Sequence, residues 1–243
     1  MEKSKLCSIL PAFIVDYTKL NYEEMMAELN FADKQAAVKR DYDKRAREKT
    51  DEVIKVAKQY GKEFFDGDRL YGYGGYHYDG RWVQVVERMK EHYGLSEDAA
   101  ILDIGCAKGF LLHDFKQCMP KSTVRGIDVS RYAIDCSMET VKPHLEVCSA
   151  EKLPYADNSF DLVLSLTTIH NLHLEPLKDA LKEIQRVSRG KSYITVDAWR
   201  NDQEKENLRK WVLTAETALH VDDWEKLFGV VGYTGDYGWF IAE

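Results

Sequence analysis

The stretch Ile101-Leu-Asp-Ile-Gly-Cys-Ala-Lys-Gly-Phe110 limits the folds open to this chain more than any other segment. A short apolar run ends at one glycine, and a second glycine stands immediately before a segment with helical periodicity. Gly105 and Gly109 let the backbone turn tightly and approach a ligand with no Cβ in the way. The helix that follows offers unpaired N–H groups and the positive end of its dipole, an environment suited to a carboxylate. A glycine turn by itself is weak evidence. Here it follows a strand, precedes a helix, and is followed by an acid, Asp128, at the end of the next strand.

Around that junction the chain alternates between two periodicities. Residues 100–104, 123–127, 145–148, 160–166 and 192–196 read as strands, and the fourth is almost wholly apolar, as a strand buried on both faces must be. Residues 110–115 read as a helix that stops near Pro120. Leu177, Ala180, Leu181, Ile184 and Val187 recur at the spacing of one helix face. Upstream, Trp82, Val85, Val86, Met89 and Tyr93 share another. This βαβα order predicts a parallel sheet with helices on both sides. Ligands of such sheets bind outside the carboxyl ends of the strands, near the point where the strand order reverses.

The first seventy residues differ in texture. Met25, Met26 and Leu29 predict one helix, and Val53, Ile54, Ala57 and Tyr60 a second. The charge-dense stretch 39–52 reads as a solvated helix face. The expected organisation is a helical extension or cap over residues 1–70, followed by an α/β domain over 71–243. The helical segment suits a cap that encloses a small metabolite, or the arm of a homodimer.

Charge and cysteine usage narrow the partners. A formal charge of −7 and a pI of 5.6 weigh against nucleic acid, whose binders usually present a basic face. Cys7, Cys106, Cys118, Cys136 and Cys148 form no CxxC pair and no zinc-ligand spacing, which suggests reduced thiols in a cytoplasmic protein. The apolar run 9–15 is broken by Pro11 and is too short to span a bilayer. The expectation is a soluble, cytoplasmic chain with neither membrane nor nucleic acid as its partner.

Asp128, within Arg125-Gly-Ile-Asp-Val-Ser130, has two readings. It is a helix N-cap, or it accepts the hydroxyls of a ribose as the acid of dinucleotide folds does. The glycine loop upstream favours the second. These residues resemble the class I S-adenosylmethionine-dependent methyltransferase family. Asp103-Ile-Gly-Cys-Ala-Lys-Gly109 is similar to its first motif, D-x-G-x-G-x-G, and Gly126-Ile-Asp-Val-Ser130 to its second. Ala150-Glu-Lys-Leu-Pro154 and Asp157-Asn-Ser-Phe-Asp-Leu-Val163 resemble the region of its third and fourth strands. The resemblance covers about residues 71–198. It departs from the family at Ala107, which replaces the middle glycine, and at Ser149, where many members carry an aspartate to the adenine amine.

The resemblance implies a doubly wound, mostly parallel seven-stranded sheet, Rossmann-like, holding S-adenosylmethionine. Asp103 would face the methionine amine, while Gly105, Cys106 and Gly109 line the donor. Asp128 and Val129 would hold the ribose, and Ser149, Ala150 and Glu151 the adenine. Ser165 and Thr167 flank the donor from the fourth strand, and Tyr76, Tyr78 and Arg81 sit where the family covers the methionine carboxylate. The four tyrosines and four glycines of residues 71–80 suit either a mobile aromatic lid or a structural turn packing its rings on the core.

The acceptor side is thinner. His170 and His173, after the fourth strand, are candidate bases because a neutral imidazole takes a proton near neutral pH; a structural histidine is the competing reading. The His-x-x-His spacing permits a metal, but nothing completes a ligand set. Tyr73, Asp197, Arg200, Trp211 and Tyr237 are candidate substrate contacts, with Arg200 equally able to pair Glu204 one helical turn on. The last residues leave little room for a long hairpin, and two short strands joined at 234–236 are expected. A nicotinamide-dependent oxidoreductase is disfavoured by Phe110, which is too bulky for the third glycine of that fingerprint. The expected function is methyl transfer to an oxygen or nitrogen of a small polar molecule, such as a sugar or cell-surface precursor. A binding protein for the same cofactor with other chemistry, or a non-catalytic partner, is the second reading.

Overall fold

The structure is a computed structural model and describes residues 26–31 and 40–243. Its sheet is built from β1 (Ala100–Ile104), β2 (Thr123–Asp128), β3 (Leu145–Val147), β4 (Leu162–Leu166), β5 (Ser192–Trp199), β6 (Leu219–His220) and β7 (Asp236–Ile241). The order runs β3-β2-β1-β4-β5, and every pairing is parallel. Ala198 pairs with Ile241 on one edge of β5 and with Leu219 on the other. β7 therefore continues the sheet, and the two-residue β6 sits beyond the end of β4.

Strand alternation divides the core in two. Ile101, Leu162, Leu164 and Tyr193 pack with α4 (Val83–Tyr93) and α5 (Phe110–Cys118) on one face. Leu102, Ile104, Val163, Ile194 and Val196 pack with α7 (Leu174–Val187) and α9 (Val221–Val231) on the other. The strand order reverses between β1 and β4, so the sheet opens there at its carboxyl edge.

Two expectations change. Residues 26–31 are extended rather than helical, and Met25 lies outside the described residues. The Leu29 amide donates to the Tyr237 carbonyl (2.7 Å), and the Tyr237 amide donates to the Ala27 carbonyl (3.0 Å). That pairing covers the outer edge of β7, which would otherwise leave a row of unpaired backbone groups. At the other end, the stretch before Thr234 is helix α9, not a strand. Trp224, Leu227 and Phe228 fall on one helical face, and Gly232, with φ of 73°, ends the helix in the left-handed conformation.

The remaining helices surround the carboxyl edge: α1 (Tyr42–Glu48), α2 (Asp51–Ala57), α3 (Lys62–Asp66), α6 (Arg131–Asp135) and α8 (Asp202–Trp211). α1 buries none of its residues, as its charge density implies, whereas α2 buries Val53 and Ala57 against Leu213. Among the described residues no helix is long and apolar enough to cross a membrane.

Trp224 joins the second core to the functional edge. It is fully buried, and its indole N–H donates to the Asp197 carbonyl at 3.0 Å near the end of β5. Trp224→Ala is expected to cost about 3–5 kcal/mol, the usual loss for a buried tryptophan. Urea unfolding followed by circular dichroism measures this; a loss below about 1 kcal/mol would mean that the tryptophan does not anchor that face.

Candidate active site

The turn after β1 is built by two glycines and one acceptor. The amides of Gly105 and Cys106 both donate to the Ile127 carbonyl, at 2.7 and 3.0 Å. Gly105 has φ of 81°, and a Cβ there would stand 2.1 Å from the Thr168 hydroxyl oxygen. Ala107 also takes a left-handed φ of 49°, the conformation that explains a family preference for glycine at this place. Its amide donates to Asp128 Oδ2 at 2.8 Å, and the Ser130 amide donates to Oδ1 at 2.8 Å. Each carboxylate oxygen of Asp128 thus accepts one backbone N–H and keeps a lone-pair direction toward the cavity it lines.

Asp103, next to last in β1, stands on the other side of the turn. It is buried, with no hydrogen-bond partner for its carboxylate among the described residues. Burial, reinforced by the Asp128 charge, pushes its pKa up to about 7. A buried carboxylate without a partner is unfavourable unless a cation joins it.

Two adjoining cavities open at this edge, of about 480 and 650 Å³. They share Tyr73, Gly105, Thr167 and Thr168. The smaller is lined by Asp128, Val129, Ser149, Ala150, Glu151, His170, Asp197 and Trp211. The larger is lined by Tyr76, Arg81, Asp103, Cys106 and Arg200. The structure therefore gathers residues from the ends of β1, β2, β4 and β5 and from the segment before α4 around these two adjoining cavities.

Five expected residues stand away from them. Gly109, with φ of 74°, caps α5. The Tyr78 hydroxyl donates to Asp114, and that of Tyr237 to Glu225. Ser165 is fully buried beneath the strand end. His173 leaves 77% of its side chain exposed, with Nδ1 3.7 Å from Glu216. Arg81 and Arg200 reach the larger cavity with their charges already paired, Arg81 to Asp79 and Arg200 to Glu204 and Glu243.

His170 is buried, and burial pushes its pKa down against the pull of Asp197. Its Nδ1 accepts the Asp197 amide at 3.2 Å, which leaves the proton on Nε2, 3.6 Å from the Asp197 carboxylate. Both ring nitrogens are turned to one residue, so the lone pair that a base needs is engaged.

Residues 71–80 form a packed turn. The amides of Tyr73, Gly75 and Tyr76 donate to Phe64, Phe65 and Asp66, and the Tyr76 ring stacks on Phe110 at 4.8 Å. Asp66, which sequence reasoning did not single out, is the hub. It accepts the buried Lys108 ammonium at 2.6 and 2.7 Å and the Tyr132 hydroxyl at 2.7 Å, while Lys108 also donates to the Tyr76 carbonyl. Burial alone would raise the Asp66 pKa, but these hydrogen bonds outweigh it and hold it below the usual carboxylate range. Only the long-range contact reveals the hub, because Asp66 and Lys108 lie far apart in sequence. Among the described residues no group of side chains has the arrangement of a metal site.

The chain is similar to known proteins over this region. A family model described as a methyltransferase domain matches residues 102–196. A tRNA (carboxymethyluridine(34)-5-O)-methyltransferase of Arabidopsis thaliana is 26% identical over 156 residues, covering 59% of this chain and 34% of that protein. The mitochondrial arginine-hydroxylase NDUFAF5 of Mus musculus is 34% identical over 109 residues, covering 43% of this chain and 29% of that protein. The crystal structure of the YcgJ protein of Bacillus subtilis superposes with a TM-score of 0.47 and 16% identity, over 60% of this chain and 66% of that one. The chain thus spans about a third of the length of each of these two curated relatives.

Asp66→Asn removes the charge opposite buried Lys108. It is expected to cost about 3–5 kcal/mol, as loss of one member of a buried pair does, and to release the 71–80 turn. Limited proteolysis reads the second effect: cleavage within the turn should rise well above wild type, and an unchanged pattern would remove Asp66 as its tether.

Proposed function

We propose that the chain, whose residues 102–196 match a methyltransferase domain, is a class I S-adenosylmethionine-dependent methyltransferase that methylates an oxygen or nitrogen of a small polar molecule. The observation that carries the reading is the pair of carboxylates, Asp103 and Asp128, at the ends of adjacent strands on either side of the Gly105 turn. The cavity chemistry fits the cofactor: an unpartnered buried carboxylate and a second with lone pairs to spare, beside a glycine turn that lines both cavities. When bound, S-adenosylmethionine supplies an electrophilic methyl group on a sulfonium.

The chain's own residues then divide the work. Asp103 accepts the amine of the methionine portion, and the Gly105 turn lines that portion. Asp128 accepts the ribose hydroxyls, and Val129, Ser149, Ala150 and Glu151 surround the base. Trp82, Tyr193, Trp239 and Phe240 wall the larger cavity and exclude water from the transfer, while positioning supplies much of the acceleration. Glu28, Asn30 and Arg40 of the N-terminal seventy residues line it too, which supports their role as a cap. Neutral His170, with both nitrogens turned to Asp197, shapes the smaller cavity. The acceptor on this reading is a group that loses its proton without that imidazole.

Two measurements test the proposal by isothermal titration. Asp128→Ala is expected to weaken S-adenosylhomocysteine binding by about 10- to 100-fold, the range for a charged hydrogen-bond partner; unchanged affinity would remove the ribose role.

The second uses pH. With a pKa of about 7, Asp103 holds its proton below that value, and a cationic amine must displace it. Affinity should therefore fall by about an order of magnitude between pH 7.5 and pH 6, with proton release on binding, and Asp103→Asn should abolish both effects. In the unliganded chain the same raised pKa costs stability as pH rises from about 4 to about 7, because the unfolded chain ionises Asp103 over that range while the folded site keeps its proton. A flat pH profile in wild type would remove the assignment of Asp103.

A further inference from the structure

Trp211, at the end of α8, is ringed by cations. The guanidinium carbons of Arg40, Arg45 and Arg69 lie 5.5, 5.8 and 5.5 Å from its ring centroid, and Arg40 also lies 4.9 Å from that of Phe240. Arg45 Nε donates to the Trp211 carbonyl, and its Nη1 to the carbonyls of Arg69 and Leu70. Arg69 Nη1 donates to the Gly72 carbonyl. These bonds fix the guanidiniums of Arg45 and Arg69 without neutralising them, since every acceptor is a backbone carbonyl. Among the described residues none of the three has a carboxylate within ion-pair distance. Elsewhere in this acidic chain the arginines at the cavities are paired, as Arg81 and Arg200 are. Burial and the neighbouring Arg69 charge push the Arg45 pKa down, the direction expected where like charges gather.

The cluster faces the proposed site. Arg45, Arg69 and Trp211 line the smaller cavity, Arg40 the larger, and Phe240 both. Arg45 Nη2 and the Nε and Nη2 of Arg69 carry donors that no carbonyl uses, and Arg40 makes no side-chain hydrogen bond among the described residues. Three planar donor forks exceed what the two oxygens of one carboxylate accept. They match a phosphoryl group, whose terminal oxygens and charge near −2 satisfy several guanidiniums at once. We infer that the acceptor is a phosphorylated small molecule, a phosphomonoester or diphosphate, held by Arg40, Arg45 and Arg69 around Trp211. This rests on the methyl-transfer reading of the two cavities. The cluster lines two cavities beside Trp211 and Phe240 in a chain of formal charge −7, which favours a small molecule over a nucleic-acid backbone, which needs an open basic face.

Inorganic pyrophosphate titrated calorimetrically into the full chain loaded with S-adenosylhomocysteine tests this. Wild type is expected to bind it. Arg40→Gln and Arg69→Gln should each weaken binding by about 10-fold or more, with S-adenosylhomocysteine affinity within about twofold of wild type. Lys226→Gln, which removes a surface cation paired to Asp223, should change neither. No binding of millimolar pyrophosphate to chain that still binds S-adenosylhomocysteine would overturn the inference, as would equal binding by the arginine variants. Binding of bulk transfer RNA that pyrophosphate fails to displace, weakened by the same substitutions, would also overturn it. Should wild type not bind S-adenosylhomocysteine, the cofactor reading falls, while pyrophosphate titrated into the unloaded chain still decides the arginine cluster.

Discussion

One carbonyl oxygen, that of Ile127, takes the amides of both Gly105 and Cys106. Much of the site's arrangement follows from it. The bifurcated bond ties the turn after β1 to the end of β2, so that Asp103 and Asp128 flank the same stretch of exposed backbone. The turn can make it because Gly105 accepts a positive φ and yields the space that Thr168 occupies. Asp128 then completes the arrangement by accepting the Ala107 amide, which holds a non-glycine residue in the left-handed region. Glycine geometry, carboxylate placement and the parallel register of β1 and β2 are one mechanical unit.

A second unit presses on the first from outside the α/β core. Asp66, at the end of a short helix, draws Lys108 from the glycine turn, the Tyr132 hydroxyl and the Tyr76 amide to one carboxylate. Lys108 is buried and tolerable there only because Asp66 neutralises it. The aromatic contacts Tyr73–Tyr76 and Tyr76–Phe110 extend the same contact over the mouth of the site. The segment ahead of α4 is thus part of the cavity wall, and its tyrosines are held by packing and backbone hydrogen bonds.

Charge is distributed to match. The chain is acidic overall, yet its carboxylates and guanidiniums do not cancel everywhere at the sheet edge. Asp103 lacks a partner on one side, and three arginines around Trp211 lack carboxylates on another. On the proposed reading both arrangements become more favourable when the site is occupied. On that reading, opposite unpaired charges at separate places suit a ligand set carrying a cation at the first and an anion at the second.

The amino-acid sequence by itself determined the alternating architecture, the position of the glycine turn and the acids at the ends of β1 and β2. These rest on local rules: period-two and period-3.6 burial, glycine tolerance of positive φ, and strand-to-helix order. The tertiary structure decided the rest. Trp224, Leu227 and Phe228 form a helix face that short apolar runs left ambiguous, and residues 26–31 became extended because the open edge of β7 needed a backbone partner. The place of His170 after the fourth strand suggested a base, but the Asp197 amide, which engages His170 Nδ1, is visible only once β5 lies beside β4. The Asp66–Lys108 contact and the arginines around Trp211 join residues 42 to 171 positions apart. No local pattern encodes such pairs, because the forces that bring them together act only after the chain has folded.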